Sequence, residues 1–175
     1  MTLTYNAHAT ATTVDAIKVQ TDKIAAKMLF TMDFWSDLQA TVALTDTASD
    51  KTLPNVAVAE LPTNATILRA IMMFKYVKRV DTSTAANATV AAQVMSIDAA
   101  AGRDSVVTAI NIGDNSFSTA GSGTEGGDTI IGDNDVASEV TANATYYPTW
   151  ELADCDGDAL TFYDVQVGLR IWYYL

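Results

Sequence analysis

The chain of 175 residues holds one cysteine, one histidine and three prolines. Each scarcity removes a class of protein. With Cys155 alone there is no internal disulfide, so the scaffold is not of the stapled secreted kind. His8, the only histidine, stands in a small, polar N-terminal stretch. A Ser–His–Asp or Cys–His device needs a positioned imidazole, and none is in prospect there. Zinc sites draw on several Cys or His ligands and are excluded on the same count. No G-x-x-x-x-G-K-[ST] phosphate loop occurs. The glycines at 121–127 have no lysine after them and stand among acids.

Long apolar runs are also missing. The most apolar stretch, "NATILRAIMMFKYVKRVD" (64–81), is interrupted by Arg69, Lys75, Lys78 and Arg79. It therefore lacks the roughly 18 uncharged residues of a spanning helix. The opening "MTLTYNAHATATTVDAIK" lacks a basic start followed by an apolar run of about 7–15 residues, so no signal peptide is read and Met1 is taken as the start. Asn-Ala-Thr sequons at Asn64, Asn87 and Asn143 then reflect an Ala/Thr-rich composition, 28 Ala and 24 Thr, rather than sugar attachment.

What is abundant is acid. The net charge of −11 disfavours nucleic acid and anionic membrane as partners. The charge is uneven: residues 1–80 hold 8 basic and 7 acidic side chains, whereas 81–164 hold 14 acidic ones and a single base, Arg103. Such asymmetry gives a partner a field to read.

Residues 1–12 read as an extended arm. A helix is expected over 13–31, with Thr12 as N-cap and Asp15 three residues on. Val14, Ile17, Thr21, Ile24 and Met28 recur at 3–4–3–4 spacing and form one apolar stripe. So short a helix is marginal alone, and docking on a neighbouring subunit would cover the stripe. After "LFTMDFWSD" (29–37) the period becomes 2. Leu38, Ala40, Val42 and Leu44 alternate with polar or small residues, and Val56 and Val58 lie between Pro54 and Pro62.

The stretch 64–81 resolves as a long strand. Leu68, Ala70, Met72, Phe74 and Tyr76 make a continuously apolar inner face. Ile67, Arg69, Ile71, Met73, Lys75, Val77 and Arg79 make a mixed outer face, on which Arg69, Lys75 and Arg79 are candidate interface residues. Strands are further expected over 88–100, 105–112 and 128–131, around Pro148, and in two segments of "LTFYDVQVGLRIWYYL"; residues 113–127 read as a long loop. Eight to ten short strands after one helix predict an all-β fold, a two-sheet β-sandwich of jelly-roll type, with residues 32–175 as its single domain.

Two acidic clusters are the only candidates for metal. In "DCDGD", Asp154, Asp156 and Asp158 alternate around Gly157, a fragment of calcium-loop logic. An EF-hand would require glutamate where Val165 stands, and the bland alternative is a polar β-turn. "GDNDVASE" adds Asp133, Asn134, Asp135 and Glu139. Paired carboxylates alone do not specify a glycosidase in a chain with 21 acids. No cofactor motif is present and no enzyme is expected. Trp35, Trp150 and Trp172 raise sugar stacking, against the commoner role of core or interface aromatics.

The segments "DFWSD" (33–37), "ALTDTASDKTLPNVAVAELPTNATILRAIMMFK" (43–75), "GGDTIIGDND" (126–135) and "LTFYDVQVGLRIWYY" (160–174) together resemble uncharacterised proteins encoded among virion structural genes of tailed phages and related viruses. The resemblance spans about 14–174 and brings no catalytic residues. It implies a capsid decoration, minor capsid or tail protein, made in the host cytoplasm and located in the virion. Its partners would be copies of itself, in a closed symmetry such as a threefold, and other virion proteins. The alternative is a calcium- or glycan-binding β-sandwich module.

Overall fold

In the computed structural model, the residues described are 28–44, 50–81, 89–103, 107–116, 124–151, 154–156 and 160–175. The expected arm and most of the expected helix, including Val14, Ile17 and Ile24, lie outside them. At the far end of that expectation Met28 and Leu29 are irregular, and Phe30 already opens a strand.

All the regular structure among the described residues is antiparallel strand, apart from one 3-10 turn at Ala137–Glu139. The first sheet is built on two long strands, β5 (Thr66–Asp81) and β12 (Leu160–Tyr174), paired along almost their whole length. β1 (Phe30–Trp35) and β2 (Gln39–Leu44) run end to end along the free edge of β12, and β8 (Thr124–Ile131) pairs with β5. The break between β1 and β2 is filled by Ser36. Its N–H donates to the Val167 carbonyl at 2.8 Å, and its Oγ accepts from the Val167 N–H at 3.1 Å.

The second sheet centres on β6 (Thr89–Ile97). β7 (Val107–Ser116) lies on one edge, and β10 (Thr149–Glu151) and β11 (Asp154–Asp156) follow one another along the other. β3 (Lys51–Thr52) pairs with β10, and β4 (Val56–Ala57) with β9 (Thr145–Tyr146), so both are interrupted ribbons. Pro148 separates β9 from β10, as a residue without an amide donor must.

Period 2 explains the core. Ala70, Met72, Phe74 and Tyr76 of β5 are buried, as are Val165, Val167, Leu169, Ile171 and Tyr173 of β12. They close against Trp150 from the second sheet. Its ring meets Phe74 at 5.1 Å and Phe162 at 4.8 Å, both edge-to-face. The architecture is thus an all-β sandwich, as the alternation predicted.

The inner face of β5 departs from expectation at both ends. Tyr173 pairs with Ile67 while Trp172 pairs with Arg69, so Leu68 is the extra residue of a bulge and stands 51% exposed. Ile67 packs against the core in its place. At the other end Val77 and Lys78 are both exposed, and Arg79 comes opposite the buried Phe162. β12 changes parity at the same level, from Leu160 and Phe162 to Val165, through Asp164 at φ 53°. The left-handed conformation suits Asp better than most residues. The two segments expected at the C-terminus are therefore one kinked strand.

The outer face is also tightly fitted at one point. A Cβ on Gly168 would lie 2.8 Å from the Phe34 carbonyl oxygen and 2.8 Å from the Trp35 ring. Gly168→Ala is expected to destabilise the fold by about 1–3 kcal/mol, the usual cost of overpacking, measurable as a lower urea midpoint at unchanged slope.

Candidate functional site: an outer sheet face and an inter-sheet cavity

Because the inner faces of β1, β5 and β12 are fixed by the core, their alternate residues all emerge on one outer surface. Arg69 stacks over Trp172 at 5.2 Å, Lys75 over Trp35 at 4.1 Å and Lys78 over Tyr163 at 4.5 Å. These are cross-strand pairs, each binding a cation of β5 to a ring on β12 or β1. Arg170 joins Asp33 by two short hydrogen bonds, Nε to Oδ1 at 2.7 Å and Nη2 to Oδ2 at 2.6 Å. That bidentate bond holds the Asp33 carboxyl below the ordinary carboxylate range, against the opposing effect of partial burial.

Four of the chain's ten basic residues, Arg69, Lys75, Lys78 and Arg170, thus share one face. Beside them lies an open groove of about 530 Å³, lined by Leu38, Lys75, Val77, Thr129, Asp164 and Gln166 among others. Leu38 is 58% exposed, Val77 63%, and Ile131, outward on β8, 55%. Ile71 and Met73 point outward too yet are buried. The long side chains at neighbouring positions on this face make it a half-covered apolar surface.

A second space lies between the sheets. It measures about 290 Å³ and is lined by Phe74, Tyr76, Ile130, Trp150 and Phe162 together with Arg79, Gln93, Asn111 and Asp128. Gln93 is 1% exposed, and the Trp150 indole Nε1 is buried with no hydrogen-bond partner among the described residues.

The sequence candidates fall in different places. Arg69 and Lys75 belong to the outer face, whereas Arg79 lines the cavity. Met28 is 53% exposed ahead of β1. Asp154 and Asp156 lie on β11, paired with Ala91 and Thr89, where a turn was expected; Asp158 lies outside the described residues. The other acidic cluster is engaged with backbone. Asp133 Oδ1 accepts from Asn111 N–H at 3.3 Å, and Asn134 Nδ2 donates to the Thr108 carbonyl at 3.0 Å. Asp135 Oδ1 accepts from the N–H groups of Ala70 and Ala137, each at 3.0 Å. The "GDND" segment therefore laces the edge of β5 to β7, the structural alternative to a calcium loop. Among the described residues no cluster of three or more His, Cys, Asp or Glu side chains could hold a metal.

Trp35 and Trp172 stood in the sequence only as aromatics for sugar stacking, core or interface, and Tyr163 and Arg170 were not singled out at all. The signal for them was the period-2 alternation of the last strand, read against the register that pairs it with β5.

No protein-family model matches the chain, and no curated protein matches it. Among solved structures the chain is similar to the Eiger TNF of S. frugiperda, at 11% identity over 84% of this chain and 92% of that one, TM-score 0.31. It is similar to the VP2 subviral particle of infectious bursal disease virus, at 11% identity over 85% and 34% of the two chains, TM-score 0.37, so it spans about a third of that protein. A third neighbour is the capsid structure of Helicobacter pylori bacteriophage KHP30, at 13% identity over 85% and 94%, TM-score 0.25.

Proposed function

We propose that the chain is a structural subunit of a virion, of the capsid decoration, minor capsid or tail kind, and that it assembles with copies of itself through the outer face of the β1–β12–β5–β8 sheet. The winding supports this reading. Counted as ribbons in chain order, with β1/β2, β3/β4 and β9/β10/β11 each taken as one, the first sheet runs 1-8-3-6 and the second 2-7-4-5. That is jelly-roll connectivity, a plan used in capsid and lectin domains. A fold names no function by itself, so the argument rests on the face.

The single observation that carries it is the concentration of cations, aromatic rings and exposed aliphatics on one side of a strongly acidic protein. Aromatic and Arg side chains around an apolar patch are the composition of an interface core. A second copy is the occupant that charge favours. The segment 81–164 offers 14 acids against one base, and the face offers Arg69, Lys75 and Lys78, with Asp33 already bound to Arg170 and Asp128 and Asp164 set in the groove at its side. Face against identical face would set cation on cation. The contact is therefore heterologous, which closes into a ring or propagates as an array.

Mass spectrometry of particles banded in a density gradient tests the virion reading. Peptides of this chain are expected in the nuclease-resistant band, in stoichiometric proportion to the major capsid protein. Their confinement to the soluble fraction overturns it.

A further inference from the structure

We infer that the end of the first sheet, where β1 begins and β12 finishes, is a docking site for residues 14–28 of a second copy of this chain. Four exposed apolar side chains converge there. Met28 and Leu29, 53% and 59% exposed, lead into Phe30, which pairs with Tyr173. Leu175, 43% exposed, stands two residues after Tyr173. Leu68, 51% exposed, is the bulge residue opposite Tyr173 and Trp172. All four therefore lie within two residues of one rung. They are four of the seven large exposed hydrophobics among the described residues. Such clustering marks a contact surface, where scattered single residues would not. Beside them the Phe30 and Tyr173 rings stack at 5.5 Å, which fixes the floor of the patch.

The occupant follows from what adjoins the patch. Met28 is also the last residue of the apolar stripe Val14, Ile17, Thr21, Ile24 and Met28. Residues 14–27 lie outside the described ones. As the helix that their spacing predicts, the stripe would be about 21 Å long, at about 1.5 Å per residue. The patch is narrower. From β1 across β12 to β5 is two strand spacings, about 10 Å. A helix crossing that end leaves about half its stripe, Val14 and Ile17, without cover from its own subunit. Laid lengthwise on the outer face instead, it would press apolar side chains onto the ion pair of Arg170 and Asp33, three rungs from Phe30. A second copy brings the missing apolar cover, because it carries the same patch. Charge agrees. Lys18, Lys23 and Lys27 against Asp15 and Asp22 give residues 14–28 a net charge of +1, and the rest of the chain carries −12. The segment is thus attracted to another copy. The inference rests on the reading that the chain assembles with itself. It adds to the outer face a small second contact, weak alone and effective as a linked site.

The test is disulfide trapping between full-length chains. Ile17→Cys and Leu68→Cys variants are mixed in equal amounts and oxidised with diamide, so that any link between positions 17 and 68 joins two copies. Peptide mass spectrometry assigns the linked positions, since both chains also carry Cys155. Leu175→Cys, at an exposed end of the chain, is a second capture position should Leu68→Cys fold poorly. A link from position 17 to position 68 or 175 is expected. Ile131→Cys on β8, at a position 55% exposed, is the control and should give no link. Absence of the link at both capture positions overturns the proposal, as does equal linking at position 131. So does a link that forms only within a chain carrying both Ile17→Cys and Leu68→Cys, which would mean that each subunit covers its own patch. Lys75→Glu in both chains separates this contact from the outer face. At high protein concentration the link should still form where sedimentation shows outer-face assembly lost. Chains that assemble yet give no link would remove the docking site and leave the outer face standing.

Discussion

Trp150→Ala is expected to destabilise the protein by about 3–5 kcal/mol, the largest single effect available in this core. The residue is 1% exposed and is the second sheet's contribution to the aromatic cluster, meeting Phe74 and Phe162 of the first. Its removal leaves those rings facing an enlarged cavity where the sheets should touch. Pleated sheets held by backbone ladders collapse poorly into such a gap, so the loss lies toward the upper end of that range. Against a net stability of about 5–15 kcal/mol this is a large fraction. The thermal midpoint should fall by roughly 6–20 °C, read by near-UV circular dichroism. Trp150→Phe keeps a ring against both partners and discards an N–H that has no acceptor among the described residues, so it should cost only a fraction of the alanine change. Equal losses in the two variants would mean that the inter-sheet contact is not made by the ring.

The location of that contact was readable from sequence only in part. Alternation of apolar residues placed Ala70 through Tyr76 inside, because a pleated strand offers no other way to bury one side. Pro148 marked a break for the same kind of local reason. Strict alternation failed where the backbone inserts a residue. Leu68 is as apolar as its neighbours and nothing in its own chemistry announces a bulge; the register against Trp172 and Tyr173 decides it. The kink at Asp164 is a tertiary event too, since β12 and β5 change parity at the same level. It turns Arg79 away from the face shared by Arg69 and Lys75 and toward the cavity. Polar stretches misled in the opposite direction. Residues 113–116 and 124–127 read as loop but extend β7 and β8, and Asp154–Asp156 read as turn but pair with β6. Low β-propensity in these segments yields to the hydrogen bonds offered by an adjacent strand edge. The cavity was invisible in sequence because its lining comes from six strands, and only the winding brings Gln93, Asn111 and Asp128 to one place.

The double charge reversal Arg69→Glu/Lys75→Glu is expected to abolish self-association while leaving the subunit folded. Both side chains lie on the outer face, where they contact Trp172 and Trp35. Losing two partly exposed cation–π contacts costs about 1–2 kcal/mol of stability, which a sandwich of this size tolerates. At a heterologous contact the same change converts two attractions into two repulsions. With close interfacial charge pairs worth about 1.5 kcal/mol or more each, the dissociation constant should rise by at least about a hundredfold. Sedimentation velocity over a concentration series, with near-UV circular dichroism as the check on folding, measures both quantities. Arg79→Glu is the decisive control. It changes the charge of a neighbouring position on the same strand, but that side chain lines the cavity between the sheets, so association should be nearly unaffected. Raising salt from about 0.15 M to 1 M shortens the screening length from about 8 to about 3 Å and should weaken the wild-type assembly in the same direction. If the reversed face associates as well as the native one, or if Arg79→Glu is equally disruptive, the outer sheet face is not where subunits meet.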